Sequence, residues 1–503
     1  VKRELEAAQR VLDELQGLGV TATSLCADSR VLMPGDVFVA YPGARADGRR
    51  FIAAAEARGA AAVLWQRQGP AAPPAMALPG VAVDDLQALS GWIAHLVYGR
   101  PSEKLWTVGV TGTNGKTSVS QWLARSLAQL GRRCAVVGTL GSGLFGPGAE
   151  GHSSAALAAS LNTTPDALTL HSLFAQFISQ GAQAAAMEVS SIGLDQGRVN
   201  GVHFDVAVLT NLTRDHLEYH GSMEAYAAAK EKLFAAPGLK AAVLNLDDAL
   251  GRKLARDLAG SGVQVMGYSL QAGTGATLFA ERIASTSRGL RFTAVTPFGR
   301  EDIETPLLGE FNAANLLAVL GALLASGEAL NEAAAVLRGL TFAPGRMQAV
   351  GGDGLPLAVI DYAHTPDALD KALAALAGIA RARGGRLVCV FGCGGNRDPG
   401  KRPLMGEAAA RRADLVILTS DNPREEEPQA ILADIAQGAP AARIVPDRAE
   451  AIDTALAEAD VRDVVLIAGK GHEAYQEIAG RRLPFSDADR AAAALAARGA
   501  SPS

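Results

Sequence analysis

The run Thr111-Gly112-Thr113-Asn114-Gly115-Lys116-Thr117 carries the most explicit chemistry in the chain. It follows an apolar strand-like run at 105–110 and precedes residues 117–130, whose apolar positions recur at helical spacing. A loop between a strand and a helix offers backbone N–H groups and the positive end of the helix dipole to an anion. Gly112, Thr113, Asn114, Gly115, Lys116, Thr117 and Ser118 are therefore expected to cradle the phosphates of ATP. Lys116 would neutralise the terminal phosphates, and the Thr117 hydroxyl would ligate Mg2+. The usual formula for such loops places glycine five residues before Gly115, where this chain has Val110, so the loop is a variant. A second glycine-rich loop, Gly392-Cys393-Gly394-Gly395-Asn396-Arg397-Asp398, also follows a strand-like run. Alone it would suggest a dinucleotide fold and an oxidoreductase, but that reading leaves the loop at 111–117 unexplained.

Groups like these need scaffolds to hold them. A chain of 503 residues exceeds what one hydrophobic core organises, and three domains are expected, at 1–103, 104–342 and 343–503. In the first, strand-like runs at 36–40 and 61–65 flank a helical, Ala-rich piece at 52–58, which predicts a small α/β domain. In the second, strand candidates at 105–110, 184–188, 206–209 and 241–244 alternate with helical stretches, which predicts a P-loop ATPase-like, mainly parallel sheet covered by helices. Beyond Pro344, apolar runs at 357–360, 387–391, 415–418 and 464–468 repeat the pattern of a doubly wound, Rossmann-like domain. The fold class is thus α/β throughout, with surface loops expected at 68–79 and 351–356, where Gly and Pro break both periodicities.

Bulk properties narrow the function. A 49% hydrophobic and 20% charged composition is that of an ordinary globular protein, and 5% aromatic residues with abundant Ala and Gly suggest helix-rich α/β architecture. No apolar stretch approaches the roughly 18 residues needed to cross a bilayer, and the first residues are charged throughout, so a cytoplasmic protein is expected. The four cysteines form no CxxC pair, which favours reduced structural thiols over a disulfide framework or a zinc site. A net charge of −5 argues against general nucleic-acid binding, leaving anionic ligands to local Lys, Arg and backbone N–H groups. A monomer is the default expectation.

The variant loop resembles that of the Mur ligases and their folylpolyglutamate synthase relatives, and the resemblance extends over nearly the full chain. In the first domain Asp28-Ser29-Arg30, followed by Pro34-Gly35-Asp36-Val37-Phe38-Val39-Ala40, resembles the family's UDP-binding motif. Ala44-Arg45-Ala46-Asp47-Gly48-Arg49 matches its diphosphate loop. The resemblance implies UDP-sugar contacts from Ser29, Ala44, Arg45 and Ala46, residues that in isolation read as ordinary surface loops. Asn162-Thr163-Thr164-Pro165 is similar to the motif that contacts the muramoyl dipeptide, and Ser190, Gln196 and Arg198 match further contacts. Arg198 is a planar fork able to pair a carboxylate or phosphate bidentately. By itself the NTTP run reads as a helix N-terminal turn.

The same resemblance implies that Glu188 and His216 are metal ligands, the latter within Thr210-Asn211-Leu212-Thr213-Arg214-Asp215-His216-Leu217. A lone His is more often structural. Lys230, in Ala227-Ala228-Ala229-Lys230-Glu231-Lys232, matches the lysine that the family carries as an N6-carboxylated (carbamylated) residue; without the family match it reads as a solvated helix-face lysine. A carbamate is the anionic oxygen ligand a hard cation prefers, and forming it requires a neutral amine. Catalysis is thereby assigned to Lys116, Glu188, His216 and Lys230, with Mg2+ held by Thr117, Glu188, His216 and carbamylated Lys230. Asn312, Asn315, Arg346, Asp361 and His364 resemble nucleotide contacts, although Asn before a helix is often only a cap.

In the third domain Asp421-Asn422-Pro423-Arg424 and Gly469-Lys470-Gly471-His472-Glu473 resemble the amino-acid-binding motifs of the diaminopimelate-adding branch. There Arg397, Asp421, Asn422, Pro423, Arg424, Gly469 and Glu473 are implied to grip meso-2,6-diaminopimelate, with Arg424 on the distal carboxylate. Asn-Pro alone would read as a β-turn. The resemblance thus implies an ATP-dependent amide-forming ligase of peptidoglycan biosynthesis that joins meso-2,6-diaminopimelate to the D-Glu side-chain carboxylate of UDP-N-acetylmuramoyl-L-alanyl-D-glutamate through an acyl phosphate. The rivals are a folylpolyglutamate-type ligase, a P-loop NTPase switch and an inactive scaffold. The last is suggested by one departure: after Glu188-Val189-Ser190-Ser191 the family usually places His, and this chain has Ile192.

Overall fold

Strands covered on both faces need near-continuous apolar runs, and such runs build two parallel sheets whose carboxyl ends face one another. The computed structural model describes residues 1–43, 46–67, 76–147, 157–158, 162–286 and 289–499. Ala44 and Arg45, expected in the diphosphate loop, and most of the loop expected at 68–79 lie outside these residues.

The first unit contains α1 (Lys2–Gly17), β1 (Leu25–Cys26), β2 (Val37–Ala40), α2 (Ile52–Ala57), β3 (Ala62–Gln66), β4 (Gly80–Val83) and α3 (Leu86–Val97). The strands lie in chain order and are all parallel. α1 buries Ala8, Val11 and Leu15, a stripe at helical spacing, against Val37, Val39 and Leu64. The same core takes in Leu168 of the next unit, so the two share apolar burial. Gly91 and Gly201 allow their backbones to approach; a Cβ on either would strike the other segment.

The central unit runs β5 (Trp106–Thr111), α4 (Lys116–Gln129), β6 (Cys134–Gly138), β7 (Gly141–Phe145), α5 (Ala167–Ser179), β8 (Ala184–Glu188), α6 (Ser191–Asp195), β9 (Val206–Leu209), α7 (Leu217–His220), α8 (Met223–Phe234), β10 (Ala241–Asn245), α9 (Ala249–Asp257), β11 (Gln264–Ser269), β12 (Leu278–Thr286), β13 (Gly289–Thr296), β14 (Gly299–Thr305), α10 (Phe311–Ala325) and α11 (Leu330–Arg338). Its ten-stranded sheet has the order β14-β13-β12-β11-β10-β9-β5-β8-β6-β7. The strands from β6 to β12 along that order are parallel, and β7 and the pair β13–β14 add antiparallel edges. Val108 and Val110 face α4 and α10 in one core, while Ala207 and Leu209 face α5 and α8 in another. The antiparallel edge was not anticipated: β14, Gly-Arg-Glu-Asp-Ile-Glu-Thr, buries only Ile303 and Thr305, too few apolar residues to announce a strand.

The third unit comprises β15 (Gln348–Gly351), β16 (Leu357–Asp361), α12 (Pro366–Arg383), β17 (Leu387–Phe391), α13 (Lys401–Arg412), β18 (Leu415–Leu418), α14 (Pro428–Ala436), β19 (Arg443–Ile444), α15 (Arg448–Glu458), β20 (Val464–Ala468), β21 (Tyr475–Ile478), β22 (Arg481–Pro484) and α16 (Asp487–Gly499). The sheet order is β15-β16-β20-β17-β18-β19, parallel except for β15, with β21–β22 a separate hairpin. α12, α13 and α14 cover one face, α15 and α16 the other. Among the described residues no helix is long and apolar enough to cross a membrane.

His171 on α5 is fully buried where the first two units meet, with Nε2 3.0 Å from the Asn200 carbonyl and its ring edge-on to His95 at 5.6 Å. Burial pushes its pKa down to about 4. Between the unfolded value of about 6.5 and that value the unfolded chain binds the extra proton, so stability falls as pH drops through this window, by about 3 kcal/mol in total. Urea unfolding at pH 4.5 and 7 should show this loss, and His171→Gln, which does not titrate, should shrink it.

Candidate active site

A cleft of about 1040 Å³ opens between the central and third units. Its walls are the segments that follow the carboxyl ends of β5, β8, β9, β16, β17, β18 and β20, the position at which open α/β sheets bind ligands.

The loop between β5 and α4 reaches the cleft through two glycines with positive φ, Gly112 at 145° and Gly115 at 87°. A Cβ on Gly112 would run into Thr210 Oγ1, and one on Gly115 into Asn315 Oδ1, so neither position tolerates a side chain. Lys116 Nζ donates to the carbonyls of Gly112 (2.8 Å) and Thr113 (2.9 Å). Thr117 Oγ1 donates to Glu188 Oε2 at 3.0 Å, and Arg346 Nη2 donates to Thr117 Oγ1 at 3.1 Å. Lys230, carried by α8, is buried and donates to the same Gly112 carbonyl at 2.9 Å. Burial, reinforced by the neighbouring Lys116 ammonium, pushes its pKa well below the ordinary lysine value. The ring of Tyr226 lies 4.3 Å from Lys230 Nζ and meets the His216 ring edge-on at 6.1 Å.

By contact the candidate metal ligands group at two poles, Thr117 with Glu188 directly, and His216 with Lys230 through the ring of Tyr226. Hydroxyl and carboxylate oxygens at the first pole suit Mg2+. Among the described residues no three His, Cys, Asp or Glu side chains gather closely enough to hold a metal unaided. The residues fit a cation whose shell is completed by nucleotide oxygens and water, which is how Mg2+ is commonly held.

Toward the other candidate nucleotide contacts, Asn312 donates to the Leu308 carbonyl (2.8 Å) and Asn315 to Asn312 Oδ1 (3.0 Å). Asp361, at the end of β16, accepts the N–H groups of Met347 (2.7 Å) and Ala363 (2.8 Å), and burial pushes its pKa up. His364 Nε2 stands 3.7 Å from Asp215 Oδ2 across the cleft. Burial opposes the charge on Asp215, and His364, His216 and Lys401 overcome it, holding the carboxyl far below its usual range.

At the far end, Asn422 Nδ2 donates to Glu473 Oε2 at 2.7 Å. Lys470, fully buried, donates to Asn422 Oδ1 (3.0 Å) and Glu473 Oε2 (3.2 Å) and so fixes the orientation of both. Gly469, with φ 114°, leaves room for the Asp421 carboxylate, which a Cβ would displace. Arg424 has φ 53°, donates through Nη1 to the Gly395 carbonyl at 2.7 Å, and is bracketed by the backbone of Glu477 and Ala479 in the β21 hairpin. Pro423 contributes its carbonyl, packed on Gly395, rather than a cleft wall. Arg397 Nη1 lies 3.8 Å from Glu218 Oε1 of the central unit. Cys393 also lines the cleft, but burial pushes its thiol up to about 12, so it stays protonated.

Of the described residues expected to contact UDP-muramoyl-dipeptide, Thr163 alone lines this cleft. Thr164 Oγ1 accepts the Ser190 N–H (2.9 Å) and donates to the Glu188 carbonyl (3.0 Å), and Asn162 leads into this turn. Arg198 forks onto Gln196 Oε1 (3.0 and 2.6 Å) and donates to the Thr164 carbonyl at 2.9 Å. Leu168, two residues past Asp166, lies in the core of the first unit with Tyr41 packed against that core, which brings this region up to the first unit. Ser29 is buried in the loop after β1, and Ala46 accepts the Gly43 N–H at 2.9 Å. An imidazole does stand at the turn containing Ile192: His220 Nε2 is 3.0 Å from Ser191 Oγ.

Sequence reasoning missed Thr139, Asp215 and Lys470 as site residues. Thr139 donates its N–H to Glu188 Oε1 (2.7 Å), and its hydroxyl is 3.1 Å from both Glu188 Oε2 and Thr163 Oγ1. Nothing local to Gly138-Thr139 signals this, because Glu188 arrives from a neighbouring parallel strand. Asp215 and Lys470 sit inside the quoted motifs, where burial beside opposite charge is what distinguishes them.

Residues 21–98 match the Mur ligase family catalytic domain, 110–323 the Mur ligase middle domain and 345–471 the Mur ligase glutamate ligase domain. The chain is 53% identical over 491 residues to the UDP-N-acetylmuramoyl-L-alanyl-D-glutamate--2,6-diaminopimelate ligase of Chromobacterium violaceum, covering 97% of each chain. A solved structure of a ligase with that same description superposes with a TM-score of 0.66 at 39% identity over 96% of each chain. Folylpolyglutamate synthase of Mycobacterium tuberculosis, solved with ADP and AMPPCP, shares the fold with a TM-score of 0.63 at 21% identity, over 83% of this chain and 96% of that one.

Thr139→Val keeps the shape but removes a hydroxyl donor from Glu188. Calorimetric titration with Mg2+ and a non-hydrolysable ATP analogue should show binding weakened by about ten-fold, with unfolding free energy changed by less than about 1.5 kcal/mol.

Proposed function

The chain belongs to the Mur ligase family, and on that premise we propose that it joins meso-2,6-diaminopimelate to UDP-N-acetylmuramoyl-L-alanyl-D-glutamate at the expense of ATP, in the cytoplasmic stage of peptidoglycan synthesis. The observation that carries this reading is the far end of the cleft. Arg424, Asp421, Asn422 and Glu473 bring a guanidinium, two carboxylates and an amide to one pocket opposite the phosphate loop. Diaminopimelate carries an ammonium and a carboxylate at each end, and this set has a partner for both charges. The identity to diaminopimelate ligases over nearly the whole chain supports the same choice.

In the reaction the γ-phosphoryl group passes from ATP to an oxygen of the D-Glu side-chain carboxylate, giving ADP and an acyl phosphate. The amine of diaminopimelate then attacks the acyl carbon, the C–O bond to phosphate breaks, and the amine loses its proton as the amide forms. Lys116 holds the transferring phosphate against the N-terminus of α4. Two Mg2+ ions would be held through Thr117, Glu188, His216 and carbamylated Lys230; bound there, they would supply neutralising charge to the phosphate oxygens. Burial, with the neighbouring Lys116 charge, lowers the Lys230 pKa toward the neutral form that carbamylation needs. Thr163, Thr164, Ser190, Gln196 and Arg198, with Ser29, Ala44, Arg45 and Ala46 of the first domain, take the UDP-muramoyl-dipeptide. Because the cleft lies between two units, its closure excludes water from the acyl phosphate.

Phosphate release and product mass, measured with the dipeptide substrate and either meso-diaminopimelate or L-lysine, test the proposal. A tripeptide product with diaminopimelate and little with lysine is expected. Product with lysine alone would overturn the assignment of Arg424, and no product with either would leave an inactive scaffold. Arg424→Ala should raise KM for diaminopimelate roughly 10- to 100-fold while KM for ATP stays near its starting value.

A further inference from the structure

We infer that Arg448 is a positioning residue for the amino-acid pocket, a buried guanidinium that ties the ends of β18 and β20 together so that the loops beginning at Asp421 and Gly469 keep one fixed separation. The inference rests on reading that pocket as the amino-acid site.

Arg448 opens α15 and Asp487 opens α16, and both are buried, at 1% and 0% exposure. The two form a planar fork, Nε to Oδ1 and Nη2 to Oδ2, both at 2.7 Å. The remaining reach of the guanidinium goes to main-chain carbonyls: Nη2 donates to Ala468 at 3.0 Å and Nη1 to Ser420 at 3.3 Å. Ala468 immediately precedes Gly469, and Ser420 immediately precedes Asp421. Burial opposes the charge on Arg448, and the carboxylates of Asp487, Asp421 and Glu473 hold it protonated.

The topology leaves such a tie a role at the base of the two loops, below the contacts that Lys470 and Glu473 make with Asn422. β18 and β20 are not neighbours; β17 lies between them, and its ladders run only to Phe391, opposite Leu418 on one side and Ala468 on the other. Beyond Phe391 the chain turns away into the loop at Gly392, so no strand pairing sets the distance between the Asp421 and Gly469 loops. A guanidinium has donors in a rigid fork and can satisfy a carboxylate and two carbonyls at once. A buried pair is poor evidence of stability as such, since an apolar pair of similar volume is often as stable. What an apolar pair could not do is hold two carbonyls from separate strands in register.

Two variants of the full chain separate positioning from folding. Arg448→Lys keeps a cation beside Asp487 but loses the fork, and Arg448→Met combined with Asp487→Leu leaves no unpaired buried charge. Hydrogen exchange followed by mass spectrometry should show amides of 419–424 and 468–473 exchanging about ten-fold faster in both variants, with the phosphate loop at 111–118 unchanged. In turnover assays KM for diaminopimelate should rise about ten-fold while kcat and KM for ATP stay within about two-fold. Unchanged exchange in either loop, or KM values for ATP and diaminopimelate rising together, would overturn the clamp. A wild-type chain that does not consume diaminopimelate would sink the functional reading instead, and the exchange measurement would still decide the clamp.

Discussion

Two lysine side chains from distant parts of the chain meet at one carbonyl oxygen. Lys116, at the start of α4, and Lys230, on α8, both donate to Gly112, at 2.8 and 2.9 Å. This convergence needs a glycine at 112, because the loop lies against Thr210 and has no room for a Cβ. It also needs β9 beside β5, which brings Thr210 there, and α8 packed beneath. Two ammonium groups so close in a buried setting disfavour each other's charge, and the more deeply buried Lys230 yields. The same packing that shapes a phosphate site thus lowers the pKa of an amine beside it.

The third unit meets this arrangement through polar contacts and through an apolar seam in which Leu308, Phe311 and Phe342 pack against its core. Arg346 reaches Thr117, Asn114 Nδ2 reaches Asp367 Oδ2 at 3.3 Å, and Arg214 Nη2 lies 3.3 Å from Asp398 Oδ2. Of these only Arg214 with Asp398 is an ion pair, and a partly exposed one contributes roughly 0–1 kcal/mol. The first unit is joined by apolar burial around Leu168 and by the close approach of Gly91 and Gly201.

Much of the scaffold was legible because it is local. Apolar runs of strand length, such as 387–391 and 464–468, became the central strands of the third sheet, and the run before Gly112 became β5. Buried parallel strands advertise themselves in this way, whereas β14 and the β21 hairpin expose most of their residues and leave no comparable pattern. Among candidate site residues, those in contiguous loops could be proposed together from their order along the chain. Thr139, Asp215 and Lys470 could not, since each acts through a neighbour tens or hundreds of residues away, or through burial that the chain's order does not encode.

The amino-acid sequence by itself determined the chemical types available, phosphate-binding glycines, a lysine and threonine in the loop, and an arginine suited to a carboxylate, together with the alternation of strands and helices that would carry them. Tertiary structure decided which of these share a space. It placed the carboxyl ends of two sheets opposite each other, brought Thr117, Glu188 and His216 to one cleft, and left Arg198 and Ser190 outside the cleft wall. The physical reason is that the side-chain types are properties of single positions, while proximity, burial and the resulting shifts in charge arise only when strands distant in the chain are packed side by side.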